Sequence, residues 1–171
     1  MSIKSGNKSK IFGLIHQNPG IHLREIQRAL GVSFNSIRYN TEKLTQSGEI
    51  DCEKGSGYSR FYPLGMSDRD KQLYSFSRNK TTFKILVELS NEFLLTNKEL
   101  AARTGLAKST VSEHIHQLLS ASLVRLTLSD EGNFKVELQD RERVKTLIDG
   151  IVGQQDIQND LVQNFVDLWD F

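Results

Sequence analysis

Along the first sixty residues, apolar positions recur first at helical spacing and then in strict alternation. Over residues 8–18, Ile11, Phe12, Leu14 and Ile15 fall on one helical face. Asn18-Pro19-Gly20 ends the run, because neither proline nor glycine propagates a helix well. Leu23, Ile26 and Leu30 then repeat at i, i+3 and i+7, which predicts a second short helix over about 22–30 with the acidic Glu25 near its positive end. Gly31 suits the left-handed backbone of a tight turn, and Ser33 is placed to cap a third helix. That helix, over about 33–47, turns Ile37, Thr41 and Leu44 inward. Gly48 stops it, Glu49 to Glu53 alternates like a half-buried strand, and Tyr58 to Pro63 returns as its partner around the tip Gly55-Ser56-Gly57.

The pattern then repeats. Shifted by 74, the chain aligns with itself without a gap from Ile11 to Ile50, pairing Ile11/Ile85, Phe12/Leu86, Ile15/Leu89, Ile21/Leu95, Ile26/Leu100, Val32/Leu106, Ile37/Val111, Leu44/Leu118 and Ile50/Val124. Glu25 pairs with Glu99 and the turn glycine Gly31 with Gly105. An offset of this length is too long for a solenoid repeat and implies duplication of a domain. In the second copy Thr96-Asn97-Lys98-Glu99 reads as a capping box, Lys108 to His114 opens the third helix, and Val124 to Leu138 forms a hairpin around Ser129-Asp130-Glu131-Gly132-Asn133. Ala107 stands where the first copy has Ser33.

Helix, turn, helix and hairpin in that order make a winged helix. The expected fold is therefore mainly α with small β-wings (α+β): two tandem winged helix-turn-helix domains over 1–66 and 81–138, a linker with a short helix over 67–80, and C-terminal helices over 139–171. The outward face of the helix beginning at Ser33 mixes short hydrogen-bonding groups with an arginine and a tyrosine: Asn35, Ser36, Arg38, Tyr39, Asn40 and Lys43. Such groups in the first two turns suit a helix that enters a DNA major groove N-terminus first. Lys54 and Arg60 flank the hairpin tip, placed for phosphates or a minor groove. The matching candidates in the second copy are Lys108, Ser109, Thr110, Ser112 and His114.

Two stretches resemble those of archaeal winged-helix transcriptional regulators with two helix-turn-helix domains: Asn18 to Ile26 and Gly31 to Asn40. The run Ala107 to His114 is similar to recognition helices of the MarR and ArsR families. The resemblance spans 8–138 and implies sequence-specific binding of double-stranded DNA and control of transcription. In that reading Arg38 and Asn35 meet base edges, Ser36 and Tyr39 meet phosphates, and the wing over 53–60 lies on the backbone. This chain departs from the family at Gln27, where a small packing residue is usual, and in its acidic second wing.

Charge sharpens this picture. Residues 1–66 hold nine Lys/Arg against five Asp/Glu, residues 67–138 ten against nine, and residues 139–171 three against seven. A basic first third is the electrostatic footprint a phosphate backbone attracts, whereas Asp130 and Glu131 at the second wing tip repel one. In the tail, Val144, Leu147, Ile148 and Ile151 form one helical stripe and Ile157, Leu161, Phe165, Leu168 and Trp169 another. The favoured reading is dimerisation through these C-terminal helices, the alternative being a stripe folded back on its own domain. The rival to DNA binding is a tandem winged-helix scaffold for protein partners.

No apolar run approaches the roughly 20 residues of a membrane span, and the N-terminus lacks the apolar core of a signal peptide. A single cysteine, Cys52, fits a reducing cytoplasm and rules out an internal disulfide. His114 and His116 face different directions on one helix with no Asp or Cys cluster beside them, so neither a metal nor another cofactor is expected. With no nucleophile–base or paired-carboxylate motif in view, no enzymatic activity is expected either.

Overall fold

A computed structural model describes residues 6–55 and 58–153. The chain falls into two compact units that divide between Arg78 and Asn79. The first is built from α1 (Asn7–Gln17), β1 (Ile21–His22), α2 (Leu23–Leu30), α3 (Phe34–Gln46), β2 (Ile50–Lys54), β3 (Ser59–Pro63) and α4 (Asp68–Ser77).

Local chemistry sets these limits. His22 and Glu25 form a capping box on α2: Glu25 N–H donates to His22 Nδ1 at 3.3 Å, and His22 N–H donates to Glu25 Oε2 at 3.1 Å. Gly31 leaves α2 at φ +62°, the left-handed region that glycine enters without strain. Ser33 caps α3 by accepting from Ser36 N–H at 3.4 Å. Ile11, Ile15, Ile26, Ile37 and Leu44 bring α1, α2 and α3 together over one core, sealed by Ile21, Ile50 and Phe61 from an antiparallel sheet of order β1-β3-β2. The two-residue β1, which pairs Ile21 with Phe61, has no signal in the hydrophobic pattern because it is too short to alternate.

The helix expected as a connector is α4, capped by Ser67 with Asp70 N–H donating to its hydroxyl at 3.2 Å. It is tied into the first unit. Lys71 Nζ lies 3.2 Å from Asp51 Oδ2 and 3.9 Å from Glu53 Oε1, and Arg78 just past its end reaches Glu25 Oε2 at 2.7 Å. Tyr62 is buried, and burial followed by the charge of Glu53 pushes its phenol up to about 12.

The second unit repeats the plan with α5 (Lys80–Asn91), α6 (Asn97–Thr104), α7 (Lys108–Ser120), β4 (Val124–Leu128) and β5 (Phe134–Leu138), followed by α8 over 141–153. In α6, α7 and β4 the offset from α2, α3 and β2 is 74 at both ends. Seven of the nine apolar pairs matched by that offset are buried in both copies, so the repeat in sequence is a repeat of the core. The capping box recurs as Thr96 and Glu99, and Gly105 recurs at φ +70°. The place of β1 is taken by a bridge between Leu95 and Val136.

Both ends of α7 are chemically weaker than those of α3. Ala107 offers no side-chain cap, and Ser122 holds φ +54° where Gly48 holds +67°. α8 packs on this unit through buried Val144 and Ile148, and Arg141 fixes its start by donating to Ser90 O at 3.0 Å and Asn91 O at 2.8 Å. Half of the expected tail therefore completes the second core. The second stripe, Ile157 to Trp169, lies outside the described residues. Among the described residues no helix is long and apolar enough to cross a membrane.

Candidate nucleic-acid interface

α3 presents its face by simple periodicity. With Ile37, Thr41 and Leu44 buried, positions 35, 38, 39 and 42 stand together on the opposite side. Asn35 and Arg38 are exposed, and Tyr39 is 60% exposed. Lys43 adds a second cation 5.7 Å from the centre of the Tyr39 ring. Glu42, which the sequence reading passed over, belongs to this face: its Oε1 lies 3.0 Å from Arg38 Nε. Both side chains are more than half exposed, so the pair is worth no more than about 1 kcal/mol and Arg38 can leave it at little cost.

The other α3 candidates are engaged with the protein itself. Ser33 is the cap. Asn40 donates to Ser36 O at 2.8 Å on its own helix, and Ser36 is half-buried. The residues free to meet a partner are thus Asn35, Arg38, Tyr39, Glu42 and Lys43. Arg24 of α2 joins them from the side, with its guanidinium 4.7 Å from the Phe34 ring centre at the start of α3. Nothing in the spacing of Arg24 and Phe34 signals this contact; it comes from the crossing of α2 over α3.

On the first wing Lys54 is exposed, but Arg60 is turned inward. Its Nη1 donates to Gly20 O at 2.8 Å, its Nε is buried without a hydrogen-bond partner among the described residues, and its guanidinium lies 5.1 Å from the Tyr58 ring centre. Arg60 therefore braces the turn before β1, where the sequence reading had it clamping a backbone. Tyr58, 53% exposed, lies over Gly55, where an added Cβ would sit 3.2 Å from its ring. Ser56 and Gly57 of the expected tip lie outside the described residues.

In the second unit Lys108 and Ser109 are exposed at the start of α7 and Thr110 is half-buried. Ser112 accepts from Asn97 Nδ2 at 3.1 Å. His114 faces the core side, with Nδ1 2.9 Å from Thr82 Oγ1, so it does not share the outward face of Ser109 and Ser112. The wing of this unit carries Asp130 and Glu131 at its tip. Behind them Arg125 Nε at 2.6 Å and Thr127 Oγ1 at 2.7 Å donate to Glu137 Oε1, and the arginine bond foremost holds that carboxyl below its ordinary range.

Two units, each with helix-turn-helix geometry and a β-hairpin wing, define a tandem winged helix-turn-helix protein. A family model described as an N-terminal HTH domain matches residues 5–73, and one described as a winged helix-turn-helix DNA-binding domain matches residues 78–125. An uncharacterized HTH-type transcriptional regulator of Methanocaldococcus jannaschii is 26% identical over 130 residues, which cover 74% of this chain. The chain spans about a third of the length of that relative (31%). Among solved structures, a MarR family transcriptional regulator from Silicibacter pomeroyi is 19% identical with a TM-score of 0.44, over 77% of this chain and 74% of that one. ScpB from Mycobacterium tuberculosis is 15% identical with a TM-score of 0.33, over 78% and 90%. Both superpositions are partial and decide nothing about function.

Proposed function

We propose that the chain is a sequence-specific, double-stranded DNA-binding transcriptional regulator that lays α3 in a major groove and the first wing along the adjacent backbone. The observation that carries this reading is the open polar face of α3, where Asn35, Arg38, Tyr39 and Lys43 stand exposed on a helix whose other side is core. An exposed guanidinium held only by a weak surface pair is suited to the N7 and O6 acceptors of guanine, and Asn35 to adenine. Glu42 then has two uses: it orients Arg38 in the free protein and accepts from a cytosine amino group in the complex. Lys54 supplies the phosphate contact of the wing, and Arg24 flanks the start of α3 with a second.

The winged helix-turn-helix DNA-binding match to the second unit and the HTH-type regulator among the relatives support a DNA-binding regulator as the class of the chain. A homodimer through the apolar stripe after residue 153 would present two α3 helices to a palindromic site. A cytoplasmic place is in keeping with the lone, unpaired Cys52.

Selection of bound fragments from a random duplex library provides the target and its symmetry. Arg38→Ala should then lose about 1–3 kcal/mol on the selected duplex and far less on a random one. Equal losses on both would remove Arg38 from base reading. A full-length protein that fails to bind random duplex even at low salt would remove DNA altogether.

A further inference from the structure

The offset of 74 makes the two units an internal comparison. Outward positions Arg38, Tyr39 and Lys43 of α3 correspond to Ser112, Glu113 and Gln117 of α7. On the wing, Cys52 and Lys54 correspond to Leu126 and Leu128. Ser59, the cross-strand partner of Lys54, gives way to Phe134, the partner of Leu128. At these positions the cations of the first surface give way to neutral, acidic or apolar groups, whereas Arg24 and Arg60 are matched by the cations Lys98 and Lys135.

The apolar replacements are open to solvent. Leu126, Leu128 and Phe134 are 47%, 61% and 64% exposed on two paired strands. A single exposed leucine needs no explanation, but three large apolar side chains side by side mark an interaction surface. A cavity of about 300 Å³ opens here, lined by Ile115, Leu119, Leu126 and Phe134 together with the polar Asn97, Ser112 and His116. That is the low end of ligand-pocket sizes, with room for a large side chain. Asp130 and Glu131 are exposed at the hairpin tip next to it.

Charge selects the occupant. A phosphate backbone is repelled by the tip. A second copy docked by the same wing tip brings no cation of that tip to meet Asp130 and Glu131, since Ser129 to Asn133 hold neither lysine nor arginine. Residues 154–171 of this chain contain Asp156, Asp160, Asp167 and Asp170 and neither lysine nor arginine, so they too carry the wrong sign. We infer that the groove between α7 and the second wing docks a basic amphipathic segment of a partner protein, with a large apolar side chain in the cavity and lysines or arginines against Asp130 and Glu131. This stands on the second unit alone, whether or not α3 reaches DNA.

The test titrates the full-length ¹⁵N-labelled protein with two synthetic amphipathic helical peptides of equal length, one of leucine and lysine, the other of leucine and glutamate. The lysine peptide should shift amides of α7, β4 and β5, and the glutamate peptide should not. The double variant Leu128→Ser/Phe134→Ser should weaken the lysine peptide about tenfold. Asp130→Lys/Glu131→Lys should reverse the preference in favour of glutamate. All four side chains are exposed, so these variants retain the fold.

Absence of shifts with the lysine peptide, shifts confined to other surfaces, or an affinity indifferent to both double variants would overturn the assignment. So would self-association abolished by Leu128→Ser/Phe134→Ser, which makes a second copy the occupant. The same holds if a chain ending at Gly153 binds the peptide and the full chain does not, or if random duplex shifts the same amides.

Discussion

Arg38 and Arg60 carry the same charge in the same unit but have opposite duties. Arg38 projects from α3 into solvent with Glu42 as its ion-pair partner, whereas Arg60 is drawn back to the Gly20 carbonyl and lies over the Tyr58 ring. Replacing each wing cation separates the two duties. Arg60→Ala should cost about 1–3 kcal/mol of stability in urea unfolding, the range for a lost charged hydrogen bond, and leave the salt dependence of DNA binding unchanged. Lys54→Ala should leave stability unchanged and lower the slope of log K against log salt by about one unit. A lowered slope with intact stability in Arg60→Ala would return Arg60 to the backbone contact. Residue identity and spacing put Arg60 near the tip correctly. They do not reveal which way a side chain turns, because that depends on a carbonyl forty positions earlier in the chain. His114 is a parallel case, taken up by Thr82 of another helix.

At the scale of elements, the two copies share a design but differ in its finish. Ser33 and Gly48 bracket α3 with a side-chain cap and a glycine stop; Ala107 and Ser122 bracket α7 with neither. Ala107→Ser should therefore stabilise the second unit by about 0.5–2 kcal/mol, and Ser122→Gly, which relieves a left-handed serine, by about 1 kcal/mol. Hydrogen exchange of α7 amides would measure both, with α3 amides as the internal reference. No slowing in α7 would mean these termini do not limit its stability.

The first unit has its own marginal joint where Arg78 meets the capping box of α2. Burial alone would raise the Glu25 carboxyl, but the Arg78 hydrogen bond and the His22 N–H outweigh it and hold the carboxyl below 4.5. A carboxyl depressed on folding contributes stability above its unfolded value, and that contribution is lost as pH falls through the folded one. Arg78→Gln should raise the Glu25 titration midpoint in carbon NMR and flatten the loss of first-unit stability below about pH 4.5. An unmoved midpoint would assign the depression to His22 alone. The Thr96–Glu99 capping box and the turn glycines were legible because they are local, confined to a few consecutive residues; His22 as the cap of α2 carries no such signal, and the Arg78 tie has none because it closes a loop across α2 to α4.

For the whole molecule, the tail is the place where pattern and packing part. Val144, Leu147, Ile148 and Ile151 make a stripe that suits a dimer as well as a domain surface, and in the structure Val144 and Ile148 are buried in their own unit. Burial of two such side chains is worth about 3–6 kcal/mol, so α8 belongs to the fold of the second unit. The dimer proposal then narrows to the chain beyond residue 153. A protein ending at Gly153 should keep its fold and sediment as a monomer where the full chain sediments as a dimer; a dimer surviving the truncation would move the interface elsewhere. The duplication, the helix-turn-helix order, the wings and the basic-to-acidic drift of charge were all determined by the sequence itself, since apolar period, caps and turn glycines act over short stretches and are written in consecutive residues. Tertiary structure alone decided which polar residues remain open. It withdrew Arg60 and His114, added Arg24 and Glu42, and exposed Leu126, Leu128 and Phe134, because exposure depends on how elements distant in the chain cross, and periodicity holds no record of that crossing.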